Sequence, residues 1–369
     1  MKTKIVQSSD SAGWDENLKQ AGTIIRTGGL VAFPTETVYG LGGDALNPSS
    51  SKKIYAAKGR PSDNPLIVHI AEIGDIYPIV KEFTAQAQVL AEHFWPGPLT
   101  MILKKSDLVP YETTGGLDTV AVRMPVHPVA LQFIREAGGY IAAPSANTSG
   151  KPSPTSARYV IEDMMGKIDM IIDGGDTKIG LESTIVDLTG DTPMILRPGY
   201  ITQEMLTETL GSLEIDRTIL SGDCKERPKA PGMKYRHYAP KGDLSIVTGS
   251  SSEVQSTINS LAKKGMTAGK KTGIIGTDET VSRYHADSIK SVGSRMNEDS
   301  IAHRLYGILR EFDDEGIDLI YSESFDTGGM GQAIMNRLLK AAGHQVIQAE
   351  SCMENHAEME DNKNDSTGK

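Results

Sequence analysis

Short apolar segments alternate with amphipathic helical segments along the first half of the chain. The spacing of apolar residues predicts helices at about 15–28, 48–58, 84–94, 127–137, 155–165 and 202–210. Apolar runs between them predict strands at 30–33, 66–70, 99–103, 119–125, 140–143, 169–172, 183–188 and 194–197. This alternation indicates an α/β fold. Strands that follow one another directly near 183–197 indicate a mixed sheet rather than a fully parallel one.

A second, smaller alternation predicts a C-terminal Rossmann-like α/β domain. Its strands are predicted at 244–247, 272–275 and 317–320, and its helices at 252–264, 298–312 and 332–342. We therefore expect one domain at 1–211, a linker at 212–241 and a second domain at 242–350. Residues 351–369 are polar and acidic, which predicts a disordered tail.

The linker contains one segment with unusual chemistry, Ala230–Pro240. It carries Tyr235, Tyr238, a histidine and two cations between prolines. Aromatic and cationic side chains can stack on a ligand and hydrogen-bond to it, whereas flexible spacers favour glycine and serine. We predict that this segment is a lid over a site rather than a plain tether.

Charge and cysteine content exclude several classes of protein. The formal net charge is −10, so general attraction to a nucleic-acid backbone is not expected. The two cysteines, Cys224 and Cys352, have no spacing typical of a zinc site. The N-terminal residues lack the apolar core of a signal peptide, and no apolar run is long enough to span a membrane. We expect a cytoplasmic protein without membrane contact.

Hydroxyl and cationic side chains collect at the predicted ends of strands in the first half. The segment Ile141–Pro154 is the richest example, with an apolar run followed by small polar residues, glycine and proline. The whole set is Thr35, Lys58, Arg60, Ser62, His69, Thr119, Arg123, Ser145, Asn147, Ser153, Ser183 and Arg197. It holds no carboxylate pair, cysteine nucleophile or metal-ligand triad. Such groups suit the binding of a multiply charged oxyanion such as a triphosphate.

Several motifs in this half resemble the YrdC/Sua5 family. They are Phe33–Leu41, Lys58–Pro61, Asn64–Leu66, Trp95–Thr100, Val122–Pro125, Pro144–Asn147 and Glu182–Ile185. The resemblance covers about residues 10–211, and Ala230–Pro240 and Gly331–Arg337 resemble the linker and second domain of the longer, Sua5-type members. It implies an N-terminal YrdC-like catalytic domain with a twisted mixed sheet.

The resemblance also implies an activity, L-threonylcarbamoyladenylate synthase, a nucleotidyltransferase. Members make L-threonylcarbamoyl-adenylate from L-threonine, bicarbonate or carbon dioxide, and ATP, and release pyrophosphate. This is the first step towards the N6-threonylcarbamoyladenosine (t6A) of tRNA, and the product passes to the tRNA threonylcarbamoyl-transferase machinery. Direct contact with tRNA is expected to be weak.

Site residues follow from the same resemblance, position by position. The catalytic residues would be Lys58, Arg60, Ser145 and Asn147. Threonine would contact Thr35, His69, Arg123, Ala143 and Ser183. ATP would contact Lys58, Ser62, Thr119, Ser145, Ser153 and Arg197, with Tyr235 closing over the nucleotide. Mg²⁺ would accompany ATP, and the sequence offers no set of protein ligands for it.

The implied mechanism is an adenylyl transfer. Threonine and bicarbonate give a carbamate, whose oxygen attacks the α-phosphorus of ATP while pyrophosphate leaves. A carbamate needs no further deprotonation to act as a nucleophile, which agrees with the absence of an obvious general base. Catalysis would then consist mainly of positioning and charge stabilisation.

Other interpretations remain open from the sequence. One is a module that binds double-stranded RNA or assists ribosome assembly, which the net charge weakens but a local cluster of cations would allow. Another is a hydrogenase-maturation carbamoyltransferase, against which the two isolated cysteines argue. His69 could be a core histidine, and Arg123 and Arg197 could be ordinary salt-bridge partners. For the second domain we hypothesise that it anchors the linker and regulates access to the site.

Overall fold

The structure is a computed structural model that describes residues 2–8, 13–216, 219, 230–231 and 238–349. The helices are α1 (Trp14–Arg26), α2 (Pro48–Lys58), α3 (Ala85–Phe94), α4 (Pro128–Glu136), α5 (Ala157–Met164), α6 (Gln203–Leu210), α7 (Ser251–Thr267), α8 (Glu298–Glu315) and α9 (Gly331–Ala341).

The strands of the first half are β1 (Lys4–Gln7), β2 (Val31–Phe33), β3 (Gly40–Asp44), β4 (Ile67–His69), β5 (Leu99–Lys104), β6 (Thr119–Arg123), β7 (Ile141–Ala142), β8 (Met170–Asp173), β9 (Thr184–Asp187), β10 (Met194–Arg197) and β11 (Glu214–Ile215). Those of the second half are β12 (Asp243–Thr248), β13 (Thr272–Gly276), β14 (Ser288–Ser291), β15 (Leu319–Glu323) and β16 (Val346–Gln348).

Two sheets organise these elements. The larger has 11 strands in the order β1-β8-β2-β3-β7-β4-β6-β5-β9-β10-β11. It contains both parallel pairs, such as β4 with β6, and antiparallel pairs, such as β5 with β6. The smaller has five strands in the order β14-β13-β15-β12-β16, and all its pairs are parallel. The predicted α/β class, with a mixed sheet and a second parallel sheet, is confirmed.

Strand β3 corrects the sequence prediction, which placed no strand between 33 and 66. Residues Gly40–Asp44 pair with β2 on one side and β7 on the other. Three of these five residues are glycines, which lowers strand propensity. Glycine is required by packing at Gly42, where a Cβ atom would lie 2.8 Å from Cγ2 of Ile141. The short strands β1, β11, β14 and β16 were also absent from the prediction.

Helix α2 illustrates how local sequence positions a site residue. Its first turn is capped by Asn47, whose side chain accepts a hydrogen bond from the backbone N of Ser49, and Pro48 occupies the first position. Gly59 ends the helix with φ 64°, in the left-handed region that favours glycine. The helix therefore stops at Lys58, whose side chain is buried.

The two halves of the chain share a hydrophobic cluster. Val38 and Leu181, from loops of the first half, pack with Tyr306 and other residues of the second half. At Gly180 the loop approaches α8 so closely that a Cβ atom would lie 2.6 Å from the backbone oxygen of Ala302. The second domain is thus packed directly against the loops that follow β2 and β8. Within the described residues, we find no helix with the length and apolar character needed to cross a membrane.

Candidate active site

A cavity of about 710 Å³ lies where loops from the central strands of the large sheet meet. Predicted site residues that line it are Thr35, Lys58, Arg60, His69, Arg123, Ala143, Ser145, Asn147, Ser153, Ser183 and Arg197. Further lining residues include Val38, Lys151, Glu182, Pro231 and Tyr238. The structure therefore brings together most of the residues chosen from the sequence.

Three predicted ATP contacts are not among the residues that line the cavity. Ser62 is exposed and lies beside Asp63 and Tyr111 in a separate depression. Thr119 begins β6, whereas Arg123 ends the same strand, so about 13 Å of extended chain separates them. Tyr235 lies outside the described residues. Their roles in ATP binding stay predictions.

Lys58 fixes the loop that follows β7. Its Nζ atom donates to the backbone oxygens of Ser145 at 2.5 Å and Asn147 at 2.6 Å, and to Oδ1 of Asn147 at 3.3 Å. Burial, and then the charge of Arg60, lower the pKa of Lys58 well below its usual value. The three oxygen acceptors oppose this shift, because together they use all three protons of an ammonium group. Lys58 and this loop form one unit of the cavity wall.

Ser145 and Asn147 are also connected to each other. The hydroxyl of Ser145 donates to Oδ1 of Asn147 at 2.5 Å. The side-chain amide of Asn147 donates to the backbone oxygens of Thr148 and Lys151, each at 2.9 Å. All the side-chain hydrogen-bonding groups of Asn147 are therefore used inside the loop, which gives the loop a single shape.

His69 and Arg123 lie side by side on β4 and β6. Nδ1 of His69 is 3.1 Å from the backbone oxygen of Ile67. A carbonyl oxygen only accepts hydrogen bonds, so Nδ1 carries the proton and Nε2 of the neutral ring is an acceptor. Burial, and then the charge of Arg123, lower the pKa of His69 to about 3. His69 is consequently neutral throughout the physiological range.

Arg123 is oriented by two residues of the loop after β2. Its guanidinium donates to Oε1 of Glu36 at 2.5 Å and to the hydroxyl of Thr37 at 2.8 Å. Both partners of the ion pair are about 95% buried. Among the described residues, Nε of Arg123 and Nε of Arg60 are buried and have no hydrogen-bond partner in the protein. An anionic ligand would supply acceptors for such groups.

Ser183 and Arg197 form a third cluster, at the start of β9 and the end of β10. The guanidinium of Arg197 donates to the backbone oxygen of Ser183 at 3.0 Å and to its hydroxyl at 3.1 Å. The hydroxyl also lies 2.8 Å from that of Thr100. A third nitrogen of Arg197 donates to the backbone oxygen of Pro231, 3.3 Å away. This contact ties the linker to the cavity wall.

Glu182 was quoted in a motif but given no role by the sequence. Its Oε1 accepts from the hydroxyl of Ser153 at 2.5 Å, and its Oε2 accepts from Tyr306 at 3.0 Å and Arg337 at 2.9 Å. Burial would raise the pKa of Glu182, but Arg337 and Arg197 outweigh it and lower the pKa to about 2. Glu182 is therefore an ionised carboxylate in the cavity wall, held by residues of both domains.

Tyr238, at the end of the linker, is a lining residue that sequence reasoning passed over in favour of Tyr235. Its φ of 66° is unusual for a residue other than glycine. Its ring stacks on Tyr306 of α8 with centroids 5.1 Å apart. The described end of the linker is thus held between the second domain and the cavity.

The charges around the cavity are mainly positive. Lys58, Arg60, Arg123, Lys151 and Arg197 line it, and Glu182 is the one carboxylate among its described lining residues. Lys151 is paired with Asp163 at 2.7 Å, and Arg123 is paired with Glu36 at 2.5 Å. Even so, the remaining cations outnumber the carboxylate, and the low dielectric of a buried site strengthens their attraction for an anion.

Comparisons with known proteins agree with this arrangement. A family model described as "Telomere recombination" matches residues 23–199. A model described as "Threonylcarbamoyl-AMP synthase, C-terminal domain" matches residues 201–343. Together they span both halves of the chain.

Similar proteins are known from archaea and bacteria. The chain is 49% identical to threonylcarbamoyl-AMP synthase of Pyrococcus abyssi, over 90% of this chain and 95% of that protein. It is 48% identical to the protein of that name from Bacillus subtilis, over 94% of this chain and 100% of that protein. The crystal structure of P. abyssi Sua5 complexed with L-threonine superposes with a TM-score of 0.88 at 46% identity, over 95% of this chain and 100% of that one. The chain belongs to the YrdC/Sua5 family and has the two-domain Sua5-type architecture.

Proposed function

We propose that this protein is an L-threonylcarbamoyladenylate synthase. It converts L-threonine, bicarbonate or carbon dioxide, and ATP into L-threonylcarbamoyl-adenylate and pyrophosphate. The observation that carries the proposal is the buried cationic cavity, in a chain whose fold matches that of a relative solved with L-threonine. The names of the relatives support the same reaction.

The threonine end of the cavity is assigned to the cluster around β4 and β6. Arg123 would bind the α-carboxylate, since guanidinium–carboxylate pairs are among the strongest charged contacts. Neutral His69 offers an acceptor for the amine or hydroxyl of threonine without repelling the amine. The small side chain of Ala143, 3% exposed in the wall, leaves room beside them.

The nucleotide end is assigned to the Lys58 unit, Arg60, Ser153 and Arg197. The amine nitrogen of threonine forms a bond to the carbon of carbon dioxide, one C–O π bond becomes an electron pair on oxygen, and the amine proton passes to bicarbonate or water, which gives a carbamate. The carbamate oxygen then forms a bond to the α-phosphorus, the bond from that phosphorus to the β-phosphate bridge breaks, and pyrophosphate takes the electron pair. The cations stabilise charge that develops on the phosphate oxygens, and the rigid loop at Ser145 and Asn147 holds the reactants in line.

Mg²⁺ is proposed to arrive with ATP as part of the substrate. Glu182, the carboxylate of the described cavity wall, already accepts three hydrogen bonds. Phosphate oxygens and water would therefore supply most of the coordination, as is common for Mg²⁺ with nucleotides. No protein ligand is assigned to the ion.

The cations of the cavity are poorly placed for the rival function of binding RNA. Lys58, Arg123 and Arg197 are 2%, 4% and 5% exposed. Side chains so little exposed are poorly available to the phosphate backbone of a duplex, which proteins contact through exposed cations. The proposal assigns the product to the t6A pathway of tRNA, in the cytoplasm, with transfer to tRNA carried out by another enzyme.

An assay of pyrophosphate release tests the proposal. Purified protein is incubated with MgATP, L-threonine and bicarbonate, and each is omitted in turn. Release is expected only when all three are present. Release without threonine, or none in the complete mixture while RNA binds in a salt-sensitive manner, would contradict the proposal.

A further inference from the structure

The second domain reaches into the wall of the cavity through two buried side chains. Tyr306 on α8 and Arg337 on α9 both donate to Oε2 of Glu182. Arg337 is 0% exposed and Glu182 is 7% exposed. The pair joins residues 155 positions apart and crosses from one domain to the other.

The other oxygen of Glu182 determines what Ser153 offers to a ligand. An ionised carboxylate only accepts hydrogen bonds, so the 2.5 Å contact uses the single proton of the Ser153 hydroxyl. The lone pairs of that hydroxyl are what remain for a ligand in the cavity. Ser153 therefore faces the cavity as an acceptor, which suits a sugar hydroxyl or an amine and disfavours a phosphate oxygen.

Arg337 is a directly hydrogen-bonded cation for Glu182, and Arg197 adds a second positive charge nearby. A buried carboxylate that loses its hydrogen-bonded cation is held less firmly, because the desolvation of its charge is then less well compensated. Arg337 uses Nε for the carboxylate of Glu182 and makes a second contact from one terminal nitrogen to the backbone oxygen of Glu182, at 3.4 Å. Its remaining terminal nitrogen donates to Asn336, whose amide donates to the backbone oxygen of Ile219 in the linker region. The guanidinium is thus held from several sides.

We propose that Arg337 and Tyr306 of the second domain are positioning residues for the nucleotide: through Glu182, they hold the hydroxyl of Ser153 as a hydrogen-bond acceptor for a hydroxyl or amine of the bound ATP. The proposal rests on the proposed function for the identity of the nucleotide. It makes the nucleotide site dependent on a docked second domain, although neither residue lines the cavity.

The test measures the dissociation constant of MgATP by calorimetry in the full-length chain, with threonine absent. The variants are Arg337→Met, Tyr306→Phe, Ser153→Ala and the double variant Ser153→Ala/Arg337→Met. Tyr306→Phe removes one hydroxyl and preserves the ring, so it keeps the test open if Arg337→Met does not fold. Arg158→Met is the matched control, because it breaks the exposed ion pair with Asp314, which crosses between the same two domains at 2.6 Å.

We expect Arg337→Met to weaken ATP binding by ~10-fold and Tyr306→Phe by ~3-fold, the size expected for a buried hydrogen bond. In a protein that already carries Ser153→Ala, the further change Arg337→Met should raise the dissociation constant of MgATP by less than about 2-fold, because both changes remove the same contact. Arg158→Met should bind ATP as the wild type does. In steady-state assays the KM for ATP should rise more than the KM for threonine.

Two results would overturn the proposal. One is an affinity within about 2-fold of the wild type in both Arg337→Met and Tyr306→Phe. The other is that Arg337→Met weakens ATP binding equally in the wild type and in Ser153→Ala. This result would indicate a general effect on domain packing. Because the measurement is of binding, it is independent of turnover. A wild-type protein that binds ATP but releases no pyrophosphate would contradict the proposed function and leave this test intact.

Discussion

The Nζ atom of Lys58 lies 2.6 Å from the backbone oxygen of Asn147, 89 residues further along the chain. The contact joins the end of a helix to the loop that follows β7. The motifs Lys58–Pro61 and Pro144–Asn147, which both resemble the YrdC/Sua5 family, are therefore in direct contact in the structure. In the structure, Lys58 shapes the wall that any ligand of the cavity meets.

Replacement of Lys58 should damage both activity and stability. In Lys58→Ala, the backbone oxygens of Ser145 and Asn147 lose this donor, so we expect turnover in the pyrophosphate assay to fall by ~10²–10³. The free energy of unfolding should fall by about 2 kcal/mol. Lys52→Ala on the same helix is the control, since its side chain is 69% exposed. Turnover of Lys58→Ala close to that of Lys52→Ala would contradict this role.

His69 predicts a dependence of stability on pH. Its pKa of about 3 in the folded state lies below the ordinary value of 6.5, so between these values the unfolded chain binds a proton that the folded chain does not. Stability should therefore fall as pH falls below 6.5, by ~2–3 kcal/mol from this residue between pH 7 and pH 4.5.

Denaturant unfolding of His69→Gln at both pH values checks the prediction. In His69→Gln the free energy of unfolding should decrease less between pH 7 and pH 4.5 than in the wild type. In His93→Gln, which replaces an exposed histidine, it should decrease as much as in the wild type. An identical loss in the wild type and in His69→Gln would show that His69 is not held neutral.

Replacement of Glu36 should weaken the binding of threonine more than the binding of ATP. Its carboxylate orients Arg123, so Glu36→Gln leaves a buried guanidinium without its counter-charge. We expect the KM for threonine to rise by ~10-fold and the KM for ATP to change by less than about 2-fold. Glu72→Gln, which removes an exposed partner of Arg135, should change neither. Equal increases in both KM values would argue against a threonine-specific role for Arg123.

A larger side chain at Ala143 tests whether threonine binds in this part of the cavity. The small side chain of Ala143 is 3% exposed and lies in the cavity wall with Gly40, which has no side chain, so a larger residue would take up space that threonine is proposed to use. Ala143→Leu should raise the KM for threonine by at least ~10-fold through loss of space. Calorimetric affinity for MgATP in the same variant serves as the internal control and should be unchanged. Normal use of threonine by Ala143→Leu would contradict the placement of the amino acid.

Most helices and strands could be predicted from the sequence, because the spacing of apolar residues within a short segment indicates its secondary structure and its buried face. Helix α2, for example, is bounded by a capping asparagine and a left-handed glycine that are both visible in the sequence. Strand β3 was not accessible. Its glycines suggest a turn, and only the packing of Phe33 and Ile141 over them explains a strand.

The site was predictable where residues follow strand ends and fall in recognisable motifs, as Arg123 and Ser145 do. The contribution of the second domain was not. Nothing local in the sequence connects Arg337 with Glu182, because an ion pair over 155 positions depends on how two domains pack. Tyr238 was missed for a related reason, since its role depends on stacking against Tyr306 rather than on its own motif.

Incorporation of bicarbonate carbon into a nucleotide would demonstrate the proposed reaction itself. The protein is incubated with ¹⁴C-bicarbonate, L-threonine and MgATP, and the nucleotides are separated and identified by mass spectrometry. The label should enter a nucleotide with the mass of threonylcarbamoyl-adenylate, in equal amount to the pyrophosphate released. Release of pyrophosphate or phosphate with unlabelled AMP or ADP as the nucleotide product would show that the protein does not form threonylcarbamoyl-adenylate.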